Sequence, residues 1–139
     1  DAIILCDWLY PIIISPFTED NVGDTSVEAK ILSAVVGITY SEEDLLKLGE
    51  KLWNLERAIA VLEGRRRVDD DIPSLYFKYT QSGFKTPPLD REKWERLKDH
   101  YYRLRGWDVE TGIPKEETLK ALGLSDVAER LKKEEVLSS

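Results

Sequence analysis

The sequence predicts an all-α fold, an irregular multi-helix domain, from three observations. Across residues 41–63, apolar residues recur every three and four positions, the period of one helix face. A second such run covers residues 90–105, between a side-chain acceptor at Asp90 and a glycine at Gly106. A shorter pair, residues 114–122 and 125–135, meets at Gly123.

Residues 1–17 are almost continuously apolar, broken by Pro11 and Pro16. Proline removes a donor and restricts the residue before it, so an element begun at Asp1 should end by Pro11. Residues 18–25 are polar, with Asn21 and Gly23, and read as a loop. A helix is predicted over 26–36, with Val27, Ile31, Ala34 and Val35 on one face, Thr25 or Ser26 as its cap and Gly37 as its end.

In the long helix over 41–63, Ser41 can accept from free amides while Glu42, Glu43 and Asp44 complement the positive end of the dipole. Leu45, Leu48, Leu52, Leu55, Ile59 and Leu62 form its stripe, with Leu48, Leu52, Leu55 and Ile59 expected to face inward. Gly49 inside a helix costs about 1 kcal/mol relative to Ala, which suggests a close neighbour there. Gly64 is the expected left-handed terminus.

Arg65, Arg66 and Arg67 precede Asp69, Asp70 and Asp71. Three arginines could grip an anion, but the nearby carboxylates favour a solvated ion-pair turn. An irregular excursion follows, punctuated by Pro73, Gly83, Pro87 and Pro88, whose Tyr76, Phe77, Tyr79 and Phe84 argue for packing against something. The helix over 90–105 should turn Trp94, Leu97, Tyr101 and Leu104 inward, leaving His100 at the surface. Gly106 to Ile113 reads as a turn, Pro114 opens a short helix, and Ser125 caps the last one.

At 139 residues and 42% apolar, the chain suits one domain, 1–139, able to bury a core. The net charge of −7 repels polyanions, so nucleic acid and anionic membranes are not expected partners. No run reaches the roughly 20 apolar residues of a membrane span. One cysteine makes no internal disulfide, and there is no charged leader pattern, so a cytoplasmic protein is expected. The opening at Asp1 without Met suggests a piece of a longer chain.

The single thiol, Cys6, lies in the pattern Asp1-x-x-x-Leu5-Cys6. A free cysteine in an apolar run behaves as a small buried hydrophobe, but a thiolate near an element end also suits a metal cluster. Both readings follow from the residues alone.

Further segments are distinctive. They are Leu55-Glu56-Arg57-Ala58; Glu63-Gly64; Asp69-Asp70-Asp71-Ile72-Pro73; Tyr101-Tyr102-Arg103-Leu104-Arg105-Gly106-Trp107-Asp108; Thr111-Gly112-Ile113-Pro114; and Leu119, Leu122, Gly123 and Leu124. Together with the opening motif they resemble the closing region of the tungsten-containing aldehyde:ferredoxin oxidoreductases, over essentially the whole chain. The tail string is the specific part, and the opening motif alone is not.

The resemblance implies the helical C-terminal domain of an enzyme that converts an aldehyde and water to a carboxylic acid. Electrons would pass from a tungstopterin (a tungsten-bound molybdopterin) through a 4Fe-4S cluster to ferredoxin. Family members also include reductases of aromatic thioesters. Carried across, Asp1 and Leu5 would contact the pterin and Cys6 would ligate the cluster, with Ile4 standing where the family has glycine. No catalytic residue is assigned within the chain. Its expected partners are the N-terminal domains of the same polypeptide, and the isolated piece should hold no cofactor and be inactive. Two other readings are a helical protein-interaction module, and a helix-turn-helix nucleic-acid binder at Gly123, which the negative charge disfavours.

Overall fold

The computed structural model describes residues 19–80, 87–134 and 136. Among them are five α-helices and no strand: α1 Ser26–Val36, α2 Glu42–Leu62, α3 Arg91–Arg105, α4 Glu116–Ala121 and α5 Ser125–Lys133. Two 3₁₀ turns, Arg67–Asp69 and Ser74–Phe77, occupy the excursion between α2 and α3. The fold is all-α, as the periodicity implies. Contacts divide the chain between Leu52 and Trp53 into two compact units.

In the first unit, α1 begins with a device different from the one expected. Thr25 makes no cap hydrogen bond. Instead the Asp24 carboxylate accepts from the Ser26 amide at 2.9 Å and from the Ser26 hydroxyl. A carboxylate one residue earlier satisfies the same free amides and complements the dipole. Gly37 closes α1 in the left-handed region at φ 73°. Ser33 ties the following loop to the helix, accepting from the Tyr40 amide at 2.8 Å while donating to the Ala29 carbonyl at 2.6 Å.

The start of α2 is as predicted. The Asp44 amide donates to Ser41 Oγ at 3.1 Å and the Ser41 amide donates to Asp44 Oδ2 at 2.9 Å, a reciprocal box. Gly49 has no close neighbour, since a Cβ built there would meet nothing within 4 Å among the described residues. No described residue fills the packing role expected of it.

The second unit holds the core. Ala58 and Val61 of α2 meet Ile113, Leu119 of α4, Leu124, and Ala128 and Leu131 of α5. Leu55, Leu122, Val127 and Val136 pack at its edge. Helices α4 and α5 turn on Gly123 at φ 69° and are joined by Glu116, which pairs with Lys120 at 2.6 Å and Lys132 at 2.7 Å. Ser125 is the first residue of α5 and not its cap; Leu124 holds the cap position, without a side-chain bond.

Two helix faces are rotated from the leucine stripes read in the sequence. The buried residues of α2 are Asn54, Arg57, Ala58 and Val61, while Ile59 is 50% exposed and Leu48, Leu52 and Leu55 are half-buried. On α3, Lys98 and Tyr102 are buried, and Leu97 and Leu104 are exposed. On α3 the inward partner is a cluster of ion pairs, which draws in lysine and tyrosine ahead of leucine; on α2, Arg57 enters that cluster while Ala58 and Val61 face the apolar core.

The aromatic excursion is only partly packed. Phe77 lies under the Arg91 guanidinium, 3.6 Å from carbon to ring centroid, whereas Tyr79 is exposed. The 3₁₀ turns between α2 and α3 therefore carry apolar surface outward.

Candidate functional site

The most elaborate polar construction among the described residues centres on Asp70. Arg57 projects from α2 and grips it bidentately, Nη1 to Oδ1 at 2.8 Å and Nη2 to Oδ2 at 2.6 Å. Arg65 donates Nε to Oδ1 at 2.7 Å, and the Tyr102 hydroxyl of α3 donates to Oδ2. The Arg57 side chain is 6% exposed and that of Asp70 14%, so the pair lies largely out of water. Charge-assisted bonds in such surroundings are strong when every partner is satisfied. No buried side-chain nitrogen or oxygen among the described residues lacks a partner.

These contacts set the protonation states. Burial pushes the Asp70 carboxyl up, but the hydrogen bonds from Arg57, Tyr102 and Arg65 outweigh it and hold the group down at about 2. Burial, and then its bond to anionic Asp70, push the Tyr102 hydroxyl above its ordinary value. At neutral pH Asp70 is therefore a carboxylate and Tyr102 a neutral phenol.

The third residue group is the turn from Gly106 to Pro114. Asp108 accepts from the amides of Glu110 and Thr111 and from the Thr111 hydroxyl, and an isolated antiparallel bridge joins Trp107 to Pro114. Arg57 Nε donates to the Gly112 carbonyl at 2.8 Å, and its guanidinium lies 4.6 Å from the Trp107 ring centroid. Trp107 Nε1 donates to buried Asn54 Oδ1 at 2.9 Å. Gly112 has φ 74°, and a Cβ there would sit 2.3 Å from Arg57 Nη2. Only glycine fits both the backbone angle and the space.

Arg67 locks the same turn to α3. It donates Nη1 to the Val109 carbonyl at 2.6 Å and pairs with Glu95 and Asp99, each at 2.7 Å. Asp71 pairs with Arg91 at 2.8 Å and accepts from Trp94 Nε1 at 3.1 Å. The run from Arg65 to Asp71 is thus an ion-pair turn, as expected, with Asp70 and Arg67 half-buried at its centre and Arg65, Val68, Asp69 and Asp71 exposed. Arg57, Tyr102 and Gly112 are the members that periodicity missed. The signal for Arg57 was a second stripe on α2, Asn54, Arg57, Ala58 and Val61, spaced by three and four beside the leucines.

What this arrangement does chemically is hold shape. Its carboxylate is a weak base, its phenol a weak acid, and its arginines are engaged. A cleft of ≈ 620 Å³ opens beside it, with Trp53, Leu97, Tyr101 and Trp107 in its walls. Among the described residues no three His, Cys, Asp or Glu side chains are placed to hold a metal ion. Asp1, Leu5 and Cys6 lie outside the described residues, and His100 is exposed on α3.

Comparison with known proteins places this helical scaffold. The family described as aldehyde ferredoxin oxidoreductase, domains 2 and 3, matches residues 1–124. The chain belongs to the aldehyde ferredoxin oxidoreductase family. A tungsten-containing aldehyde ferredoxin oxidoreductase of Pyrococcus furiosus is 34% identical over 99 residues, covering 69% of this chain and 16% of its own. A second relative from that organism, the WOR-like subunit of an aliphatic sulfonate oxidoreductase, is 32% identical over 108 residues, covering 73% of this chain and 17% of its own. Among solved structures, the active-site complex BamBC of benzoyl coenzyme A reductase, with 1,5-dienoyl-CoA, superposes with a TM-score of 0.68 at 34% identity. That match covers 81% of this chain and 16% of the other. The chain spans about one sixth of the length of these relatives.

In aldehyde ferredoxin oxidoreductase terms, the described helices are oxidoreductase-domain scaffold. No helix among the described residues is long and apolar enough to cross a membrane.

Proposed function

We propose that this chain is the C-terminal domain of a tungstopterin and iron-sulfur oxidoreductase, where it supplies one cluster ligand and part of the pterin site. The observation that carries this reading is the span of the family match, which starts at residue 1 and so includes Asp1-x-x-x-Leu5-Cys6. Cys6 is the ligand, as a thiolate, and Asp1 and Leu5 are the pterin contacts. Ile4, at the family's glycine position, brings a side chain where the backbone would otherwise approach the cofactor most closely.

The donor set fits a shared site. A four-iron cluster takes about four thiolates, and the 139 residues contain one cysteine, so the other ligands come from outside this sequence. When bound, the tungstopterin and cluster would supply the two-electron redox chemistry by which an aldehyde and water become a carboxylic acid, with ferredoxin as acceptor. The chain's own part would be to hold: Cys6 would ligate the cluster, Asp1 and Leu5 would contact the pterin, and the Arg57–Asp70–Tyr102 network keeps the scaffold rigid. The domain acts in the cytoplasm as one piece of that enzyme and is inactive alone. Family membership favours this reading over an interaction module or a nucleic-acid binder.

The test is Cys6→Ser in the full-length protein. Iron content should fall and the paramagnetic signal of the reduced cluster should be lost or altered, while far-ultraviolet circular dichroism keeps its helical form. An unchanged cluster would return Cys6 to the role of a packed core thiol.

A further inference from the structure

Helix α3 carries charge of the opposite sign to the chain. Its 15 residues hold six lysines and arginines against three carboxylates, in a protein whose net charge is −7. Three of those cations are engaged with the fold: Arg91 pairs with Asp71 at 2.8 Å, Lys98 with Glu95 at 3.1 Å, and Arg105 lies over the Trp53 and Tyr101 rings. Lys93 and Arg96 are exposed and form no ion pair with any described residue. Arg103, its side chain 63% exposed, stands 3.7 Å from Asp99, a carboxylate that Arg67 already holds at 2.7 Å. The other acidic groups near this face are Asp90, which caps the helix by accepting from the Lys93 amide, and exposed Glu92. Spacing by three and four sets Lys93, Arg96, Leu97, His100, Arg103 and Leu104 along one exposed stripe, with Leu97 57% and Leu104 69% open to solvent.

We propose that this stripe of α3 is the docking surface for an acidic electron-carrier protein, the role that the proposed function gives to ferredoxin. The proposal rests on that reading and adds the surface used. Charge chooses the occupant. On an anionic protein a cationic stripe attracts carboxylates at that one place, so it fixes where an acidic partner lands as well as speeding its approach. Size chooses a partner that binds and leaves. The helix is about 22 Å long, a patch that suits the small contacts, below about 1,200 Å² in total, of electron-transfer encounters. Interfaces are depleted of lysine relative to the rest of the surface, whereas here two separate leucines stand among cations, which fits steering followed by a brief apolar contact. An extended anionic membrane is the poorer match: charges act over only about 8 to 10 Å at ordinary salt, and a flat surface would also meet the negative remainder of the chain, which a small protein avoids.

The test measures binding of an oxidised, acidic ferredoxin to the full-length protein by biolayer interferometry at low and high salt, with iron content and circular dichroism taken on the same samples. Binding should weaken as salt rises. The double variant Lys93→Glu, Arg96→Glu should raise Kd by about tenfold or more, chiefly through slower association, and flatten the salt dependence. Lys93→Gln, Arg96→Gln should give an intermediate loss without reversing charge, and both variants should keep their iron and helical signal, since both side chains stand in solvent. An unchanged Kd in both variants, or no binding by the unsubstituted protein, overturns the docking surface, and intact iron in that sample leaves the cofactor reading standing. Iron absent from the unsubstituted protein overturns the cofactor reading, while the ratio of Kd values still decides the surface. Binding to phosphatidylglycerol vesicles in place of ferredoxin would assign the stripe to a lipid surface and overturns the proposal. Equal binding of cytochrome c, a basic carrier, overturns it as well, because charge would then not select the partner.

Discussion

Asp70→Asn is the most informative single change in the described structure, because it removes one negative charge and little volume. The carboxyl sits at about 2 in the folded chain against an ordinary 3.8. At 1.36 kcal/mol per pKa unit that gap corresponds to roughly 2 kcal/mol of stability. The variant also leaves Arg57, 6% exposed, without its anion. Stranding one partner of a buried pair costs about 3 to 5 kcal/mol, so the loss at neutral pH should fall between about 2 and 5 kcal/mol. The pH dependence has a defined sign. A depressed carboxyl contributes fully above its unfolded value and loses that contribution as pH falls through its folded value. The difference between wild type and Asp70→Asn should therefore be constant above about pH 5 and shrink progressively between about pH 4 and 2. Urea unfolding followed by circular dichroism at several pH values measures this directly. A difference below about 0.5 kcal/mol at pH 7, or one that does not change with acid, would refute the argument that this network is a stabilising clamp.

Three further outcomes follow from the packing. Gly112→Ala combines a left-handed backbone angle with a Cβ 2.3 Å from Arg57 Nη2, and should lower stability by more than about 1 kcal/mol in the same unfolding assay. Leu131→Ala, fully buried, should cost about 2 to 5 kcal/mol, whereas Ile59→Ala, half in water, should cost well under half as much; equal losses would mean that the sequence stripe was the true inner face. Trp107→Phe removes the 2.9 Å donor to buried Asn54 Oδ1 and should cost about 1 kcal/mol, with little change at exposed His100→Ala as the control.

Helix positions were legible because their signals are local. Asp90 accepts from the Lys93 amide at 2.9 Å, Gly37, Gly64 and Gly106 all have positive φ, and Ser41 accepts from a free amide at the start of α2 as read. Which face turns inward is not a local property, and there the leucine pattern misled. Leu97 and Leu104 belong to the strongest apolar run of α3, yet Tyr102 and Lys98 are buried because Asp70, Glu95 and Arg67 lie on that side. A hydrophobic period counts hydrocarbon and is blind to a guanidinium that has found its carboxylate. Gly49 shows the opposite failure: a glycine invited a packing explanation, and the described helix has open space beside it.

The segments that carry the family resemblance in the sequence turn out to be one physical object. Arg57, in the Leu55 to Ala58 string, holds Asp70, in the Asp69 to Pro73 string; Tyr102 and Trp107, in the tail string, cover them; and Gly112 gives its carbonyl to Arg57. These pieces are separated by up to 55 positions along the chain, but each makes sense only with the others present. Lysine could not replace Arg57, because its single ammonium cannot bind both Asp70 oxygens and the Gly112 carbonyl in one plane. No residue with a Cβ could replace Gly112 while Arg57 stays where it is. Resemblance in several separated strings is therefore not several independent coincidences: the strings are coupled through one buried arginine, and together they specify the scaffold.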